Sequence, residues 1–282
     1  MEKKIGYDGL ITFWTLGQWS RRNELEDSLS ALGFVGVVPQ HRTHNACLRD
    51  AMVDVMETAT QIIRPLKLKD GYSVTLEDRG VTENHFSHLM SARIDSATNV
   101  ITFDGRLPDI ERQILERYNA HLGLLPNHQV AAALVNVMAQ LGGVALRPRG
   151  GVYWLAGKNS DRWKEVGYAV EKCSANGKSN EIFRFHHDIG PDEVLAITAA
   201  IAHEVESQVK EIEDELTAGN LKAKALENRQ NQSFSLKKKV EQYEGILSGS
   251  LGGLHEMLER VTLSAGKAIM MLEREELCGQ TA

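Results

Sequence analysis

Hydrophobic residues recur at intervals of three and four along the last third of the chain, with polar residues between them. The pattern predicts helices over residues 191–216, 221–247 and 251–272. In the third helix the alternation matches the heptad period of a coiled coil. Its seam consists of Leu251, Leu254, Leu258, Val261, Ala265, Ala268 and Leu272. We expect this seam to meet either a helix of the same chain or a copy from another chain.

The first third of the chain mixes helical and strand patterns. Residues 9–16 form an apolar strand-like run, residues 21–32 carry leucines at helical spacing, and residues 35–38 fit a second short strand. A longer helix is predicted over 46–63, ended by Pro65 because proline cannot continue a helix. Alternating positions separated by turn residues then predict antiparallel strands over 66–104.

The middle of the chain has the element order of a winged helix. Residues 110–122 and 128–141 form two amphipathic patterns with a short connection, and Gly142 and Gly143 end the second helix. Two strand-like runs, 144–147 and 152–155, flank a Pro-Arg-Gly-Gly turn and predict a hairpin.

These patterns together predict an α+β fold in three consecutive parts. A mixed α/β part with antiparallel strands covers residues 1–105, and a winged-helix-like helix–hairpin module covers 106–190. A helical hairpin or coiled coil covers 191–282. In that part, Leu251, Leu254, Leu258, Val261 and Leu272 are the candidate oligomerisation residues.

The hairpin and its flank supply the candidate nucleic-acid contacts, namely Arg147, Arg149, Tyr153 and Lys158. Basic side chains at such a wing can bind phosphates. However, the helix at the recognition position, residues 128–140, contains no Lys or Arg, whereas helices that enter a groove usually present several. A purely structural module with surface arginines is therefore the competing interpretation.

The segment LGGVALRPRGGVYWL, residues 141–155, resembles part of an uncharacterised protein family from bacteria and their phages. In that family a helix is followed by a pattern close to L-R-x-x-G-G-V-Y. The resemblance implies a bacterial or phage origin, and the family has no established activity to carry over to this chain. The paired glycines suit the turn, and Tyr153 or Trp154 suits packing on one face.

Composition narrows the class of protein. The chain has 282 residues, of which 42% are hydrophobic and 25% charged, as in ordinary globular proteins. The net charge of −6 lies in residues 191–282, which hold 16 acidic and 10 basic side chains, and this lowers the expectation of a dedicated DNA-binding protein. Three distant cysteines argue against a disulfide framework and a zinc cluster, and no apolar run is long enough to span a membrane. We therefore expect a cytoplasmic protein without a cofactor, a metal or a membrane partner.

Candidate catalytic groups are scattered. His41 and His44 lie three residues apart but lack the further ligands of a zinc site, so a loop or helix start capped by Thr43 or Asn45 is favoured. The run His186-His187-Asp188 has no accompanying nucleophile motif. The leading hypothesis is a non-enzymatic interaction or assembly protein that oligomerises through its C-terminal helices, with DNA or RNA as a candidate partner. The alternatives are a metal-dependent hydrolase or nuclease with dispersed His and acidic residues, and a structural scaffold or virion component.

Overall fold

The computed structural model describes residues 7–56, 58, 60–79, 84–147, 151–175, 179–218, 221–244 and 252–279. These residues form helices and antiparallel sheets, so the fold is α+β as the sequence predicts. The strands are β1 (Tyr7–Thr15), β2 (Trp19–Arg21), β3 (Gln61–Pro65), β4 (Gly71–Arg79), β5 (Asn84–Ile94), β6 (Ile101–Asp104), β7 (Leu124–Pro126), β8 (Val144–Ala145), β9 (Tyr153–Ala156), β10 (Ser174–Ala175) and β11 (Glu181–Ile189). The helices are α1 (Arg22–Ala31), α2 (His44–Met56), α3 (Pro108–Leu122), α4 (Asn127–Gln140), α5 (Ser160–Lys172), α6 (Pro191–Ala218), α7 (Ala223–Glu244) and α8 (Gly252–Gly279).

The chain divides into two compact units whose segments interleave along the sequence. The terminal unit comprises residues 1–15, 135–167 and 181–282, and the central unit comprises residues 16–134 and 168–180. Both units draw on the predicted ranges 1–105 and 106–190. The interleaving arises because β1, at the start of the chain, pairs with β11, which follows the whole central unit in sequence.

The terminal unit contains a four-stranded antiparallel sheet in the order β11-β1-β9-β8. Its central strand β1 buries Leu10 and Thr12 on one face. The Thr12 hydroxyl donates to the carbonyl of Phe183 at 2.7 Å and accepts from the indole nitrogen of Trp163 at 2.8 Å. The buried hydroxyl is therefore fully paired, which is what allows a polar residue in this core.

Three long helices complete the terminal unit and pack on one another within the chain. Apolar residues of α6, α7 and α8 share one core with Val144, Trp154 and Ala156 of the sheet. The ion pairs Lys237–Glu259 and Glu244–His255 show that α7 and α8 run antiparallel. The residue number rises along α7 from the first pair to the second, whereas it falls along α8. Four residues of the predicted seam, Leu254, Leu258, Val261 and Ala265, are buried within this chain.

The central unit is built on a second four-stranded antiparallel sheet, in the order β3-β4-β5-β6. Helices α2 and α3 bury Leu48, Met52 and Ile114 in one core with Val74 and Met90 of the sheet. A small third sheet, β10-β2-β7, lies in the same unit. The strands predicted over 66–104 are confirmed. The helix predicted over 46–63 is too long, because α2 ends at Met56 and residues 61–65 form β3.

The predicted helix–hairpin elements are present in the expected order. Helices α3 and α4 are followed by a hairpin in which Val144 pairs with Trp154 and Ala145 pairs with Tyr153. Strand β9 also pairs with β1, so the hairpin is the edge of a larger sheet. Strand β7 separates the two helices and pairs with β2. A winged helix in the functional sense stays a prediction.

Candidate functional site

The four predicted nucleic-acid contacts have different environments. In the terminal unit, Arg147 is exposed two residues after the end of β8, and Lys158 is exposed in the 3-10 turn Gly157–Asn159. Arg149 lies outside the described residues. Tyr153 is only 9% exposed, and its ring stacks on Trp14 with the centroids 5.2 Å apart. Burial, and secondarily the charge of Glu204, raises the pKa of Tyr153. A buried, stacked ring does not fit the expected contact with nucleic acid.

The predicted oligomerisation residues lie largely in the bundle. Leu254, Leu258 and Val261 are buried against α6 and α7 of the same chain. Leu272 lies in α8, and Leu251 lies outside the described residues. Self-association by the three buried residues would therefore require the bundle to open.

The bundle presents a different set of apolar side chains to the exterior, and we call Phe234, Leu263 and Met270 the outer apolar patch. They are 51%, 65% and 68% exposed. The hydroxyls of Ser233 and Thr262 meet at 2.9 Å where α7 and α8 touch. One residue further along a helix is a rotation of about 100°. In an antiparallel pair, this rotation turns Phe234 and Leu263 to the same side.

That side is opposite α6. The contacts of α7 with α6 are made by Arg229, Gln232 and Lys239, which lie on its other flank. Met270 follows Leu263 by two helical turns and so continues the same face. The outer apolar patch is therefore a stripe along the α7–α8 pair.

The central unit contains a polar cluster that the sequence did not reveal. Its elements are α2, the loop before it, β2 and the end of α3. Arg42 forms an ion pair with Asp50, and its guanidinium carbon lies 5.1 Å from the ring centroid of Trp19. One helical turn after Asp50, Asp54 lies 2.9 Å from Nε2 of His121, whose ring packs against Trp19.

The histidine of this cluster is buried and holds the carboxylate of Asp54 in place. The side chain of His121 is 3% exposed, whereas that of Asp54 is 31% exposed. The geometry assigns the proton to Nε2, which donates to the Asp54 carboxylate. Nδ1 has no hydrogen-bond partner among the described residues. The shielded imidazole therefore fixes the orientation of the Asp54 carboxylate.

Two cavities of the central unit adjoin Asp50. One of about 360 Å³ is lined by Trp19, Asp50, Asp54 and Asn127 among others. The other, of about 390 Å³, lies where the first turns of α2 and α4 approach each other, and Arg42 and Asp50 are part of its wall. Both volumes lie within the range of small-ligand sites, which is about 300–1,000 Å³.

The other candidate histidines are accounted for by local contacts. Nε2 of His41 lies 3.1 Å from Nη1 of Arg22, and Nδ1 of His44 lies 2.6 Å from the hydroxyl of Tyr118. Thr43 caps α2 by accepting from the amide of Ala46, as predicted. His187 lies 3.2 Å from Glu193. Within the described ranges, no three His, Cys, Asp or Glu side chains come together as metal ligands.

The fold and these sites define an α+β protein with exposed apolar side chains on its bundle and a polar pocket in its central unit. Residues 9–276 match the family of unknown function DUF6744, and the chain belongs to that family. Neither a curated protein nor a solved structure matches the chain. Among the residues that the structure describes, no helix has both the length and the apolar character to cross a lipid bilayer.

Proposed function

We propose that the protein is a non-enzymatic interaction protein that self-associates through the outer face of its C-terminal helices. The observation that carries this proposal is the outer apolar patch of Phe234, Leu263 and Met270, each more than half exposed. Exposed apolar side chains grouped on one face of a folded protein favour an interaction site. The predicted seam residues then stabilise the bundle, and the patch beside them makes the intermolecular contact.

The charges beside the patch favour a second copy of the chain as the partner. Glu259 lies one helical turn before Leu263 and Lys267 one turn after it, on the same exposed face of α8. A two-fold axis near Leu263 would place Glu259 of one copy opposite Lys267 of the other. Such a self-complementary surface is what a symmetric dimer requires.

The test is sedimentation equilibrium of the full chain over a wide concentration range. Leu263→Glu should weaken dimerisation at least about tenfold, because burying one leucine contributes roughly 1.5–3 kcal/mol. Leu195→Glu is the matched control, since Leu195 is 68% exposed on α6 and lies outside the patch. A monomeric wild-type chain at all concentrations, or equal effects of the two substitutions, would refute the proposal.

A charge exchange tests the two-fold arrangement itself. Lys267→Glu alone should weaken self-association because it sets two acidic groups opposite each other. The double variant Lys267→Glu/Glu259→Lys should restore self-association, since a positive side chain of one copy again lies opposite a negative one of the other. Glu259 also lies 3.3 Å from Lys237 of its own chain, so Glu259→Lys alone provides the reference for that lost contact.

Association with DNA or RNA is the second candidate function, supported by the exposure of Arg147 and Lys158. Fluorescence anisotropy with labelled single- and double-stranded probes should show binding that weakens steeply with salt. The double variant Arg147→Ala/Lys158→Ala should lose it. The competing hydrolase or nuclease hypothesis predicts instead a metal-dependent activity that disappears when His186 or His187 is replaced.

A further inference from the structure

The wall of the 390 Å³ cavity in the central unit contains more permanent positive charges than negative ones. Arg42 and Arg49 contribute two permanent cations, and His41 and His128 contribute two imidazoles. Asp50 is the one acidic residue among the described residues of this wall. Since the whole chain has a net charge of −6, this local excess runs against the overall balance.

Two helix N-termini add to the positive potential. Thr43 is the capping residue of α2, because its carbonyl accepts from the amide of Cys47 and its hydroxyl accepts from that of Ala46. His128 and Gln129 belong to the first turn of α4. Both capping regions line the cavity. Helix N-termini carry partial positive charge and unpaired amides, and they therefore favour anions.

The side chain of Arg42 provides an independent indication of an anion site. Its side chain is only 8% exposed, and it lines the cavity. Nη2 bonds to Asp50 and the guanidinium lies over Trp19, so the group is fixed in orientation. Nη1 is buried without a hydrogen-bond partner among the described residues. A buried charged donor without an acceptor is unfavourable, and a bound acceptor would relieve it.

We propose that this cavity binds the phosphate group of a phosphomonoester, with Arg42 as the principal donor. Guanidinium groups match phosphate oxygens in both charge and geometry. Arg49, 61% exposed and 3.6 Å from Asp50, adds a second charge at the outer side. The buried Oε1 of Gln129, also without a partner in the described residues, can accept from a hydroxyl of the phosphorylated molecule. This site is separate from the outer apolar patch.

The first experiment is isothermal titration calorimetry of the full chain with inorganic phosphate in a low-salt buffer. Wild type should bind, and Arg42→Gln should weaken the affinity on the order of tenfold or more, as expected for loss of a charged hydrogen bond. Arg49→Gln should weaken it about threefold, because an exposed charge contributes less. Arg112→Gln is the matched control, since Arg112 is exposed on α3 and its pair is Asp109.

The variant Arg49→Gln also controls for the possibility that Arg42→Gln loses phosphate binding because it misfolds. Its side chain is largely exposed, so its circular dichroism and thermal melting should equal those of wild type. Absence of heat with wild type, or equal affinities for wild type, Arg42→Gln and Arg49→Gln, would overturn the proposal. Because the outer apolar patch is not involved, Leu263→Glu should bind phosphate normally, which separates this result from the self-association test.

The source of the phosphate is distinguished by competition. A 5′-phosphorylated hexanucleotide and the same oligonucleotide with a 5′-hydroxyl are each titrated against the phosphate complex. Competition by the phosphorylated form alone assigns the site to a nucleic-acid end. Competition by a nucleoside monophosphate, with neither hexanucleotide effective, assigns it to a small molecule. Equal competition by both oligonucleotides would contradict a monoester site.

Discussion

Lys239 and Glu204 form an ion pair that ties α7 to α6. The lysine Nζ lies 2.8 Å and 2.7 Å from the two carboxylate oxygens. Their side chains are 10% and 26% exposed, so the pair is largely removed from water. Glu204 also adds to the effect of burial in raising the pKa of Tyr243, whose hydroxyl donates to the carbonyl of Gly142. Lys239 thus neutralises the partly buried carboxylate of Glu204, which would otherwise have no opposite charge beside it among the described residues.

We predict that Lys239→Ala lowers the free energy of unfolding by about 2–3 kcal/mol, because it leaves Glu204 partly buried and unpaired. Lys238→Ala is the matched control, since this neighbouring lysine is exposed, and it should change stability by less than about 0.5 kcal/mol. The measurement is urea denaturation followed by circular dichroism. Equal midpoints for the two variants would contradict the structural role of the pair.

The lysines at positions 237–239 show what a sequence pattern can predict and what it cannot. Residues 237–239 form a charge run, which is typical of a solvated face. The exposure of Lys238 agrees, but Lys239 is buried because residue spacing places it toward α6. A run of identical residues indicates that the segment is mostly solvated, but it does not show which of its side chains is buried. The apolar residues of α8 were easier to assign, because Leu254, Leu258 and Val261 recur at helical spacing. All three are buried, as that spacing predicts.

Two short segments were assigned to the wrong element. Ile62 and Ile63 continued the helical spacing of α2, yet they lie in β3 and pair with Thr75 and Val74. That pairing is a tertiary contact, which overrides a local pattern. Residues 35–38 do not form the predicted strand, since Gly33 and Gly36 have φ angles of 86° and 73° that interrupt an extended chain.

The pocket of the central unit could not be predicted for a different reason. Arg42 precedes α2 and Arg49 lies within it, whereas His128 and Gln129 come from α4, far along the chain. Each is a single polar residue in an ordinary local context. The cavity itself exists only once the fold brings the two helix starts together. The one local signal was the capping residue Thr43, which marked the beginning of α2.

Gly9 is a position where a side chain cannot be accommodated. A Cβ atom there would lie 2.3 Å from Nε1 of Trp154, which is 3% exposed on the neighbouring strand. We predict that Gly9→Ala destabilises the protein by about 1–3 kcal/mol, because the ring must move within a packed core. Thermal melting should show a clear loss of melting temperature.

Gly253 is the control for that substitution. A Cβ atom at this exposed position in α8 would meet nothing within 4 Å. Gly253→Ala in the first turn of α8 should therefore leave stability unchanged or raise it by up to about 0.5 kcal/mol, since alanine has the greater helix propensity. If both alanine variants shifted the melting temperature in the same direction, the close approach of β1 to Trp154 would not be the cause.

The buried thiol of Cys173 predicts a specific dependence of stability on alkaline pH. Burial raises its pKa from 9.0 to about 11, and its sulfur donates to the carbonyl of Val170 at 3.1 Å. In the unfolded chain the thiol ionises near its ordinary pKa, so between about pH 9 and 11 the unfolded state holds fewer protons. Stability then falls as pH rises. Below about pH 9 both states are protonated and the effect vanishes.

The expected loss reaches about 2–3 kcal/mol by pH 11, since one pKa unit corresponds to about 1.4 kcal/mol. Urea denaturation of wild type and Cys173→Ala across pH 7.5–11 isolates this contribution, because other titrating groups act on both proteins alike. The stability difference between them should be constant up to about pH 9 and should then shift against wild type. A difference that stays constant up to about pH 11 would mean that the thiol ionises equally in the folded and unfolded chains, and therefore that water reaches it in the folded protein.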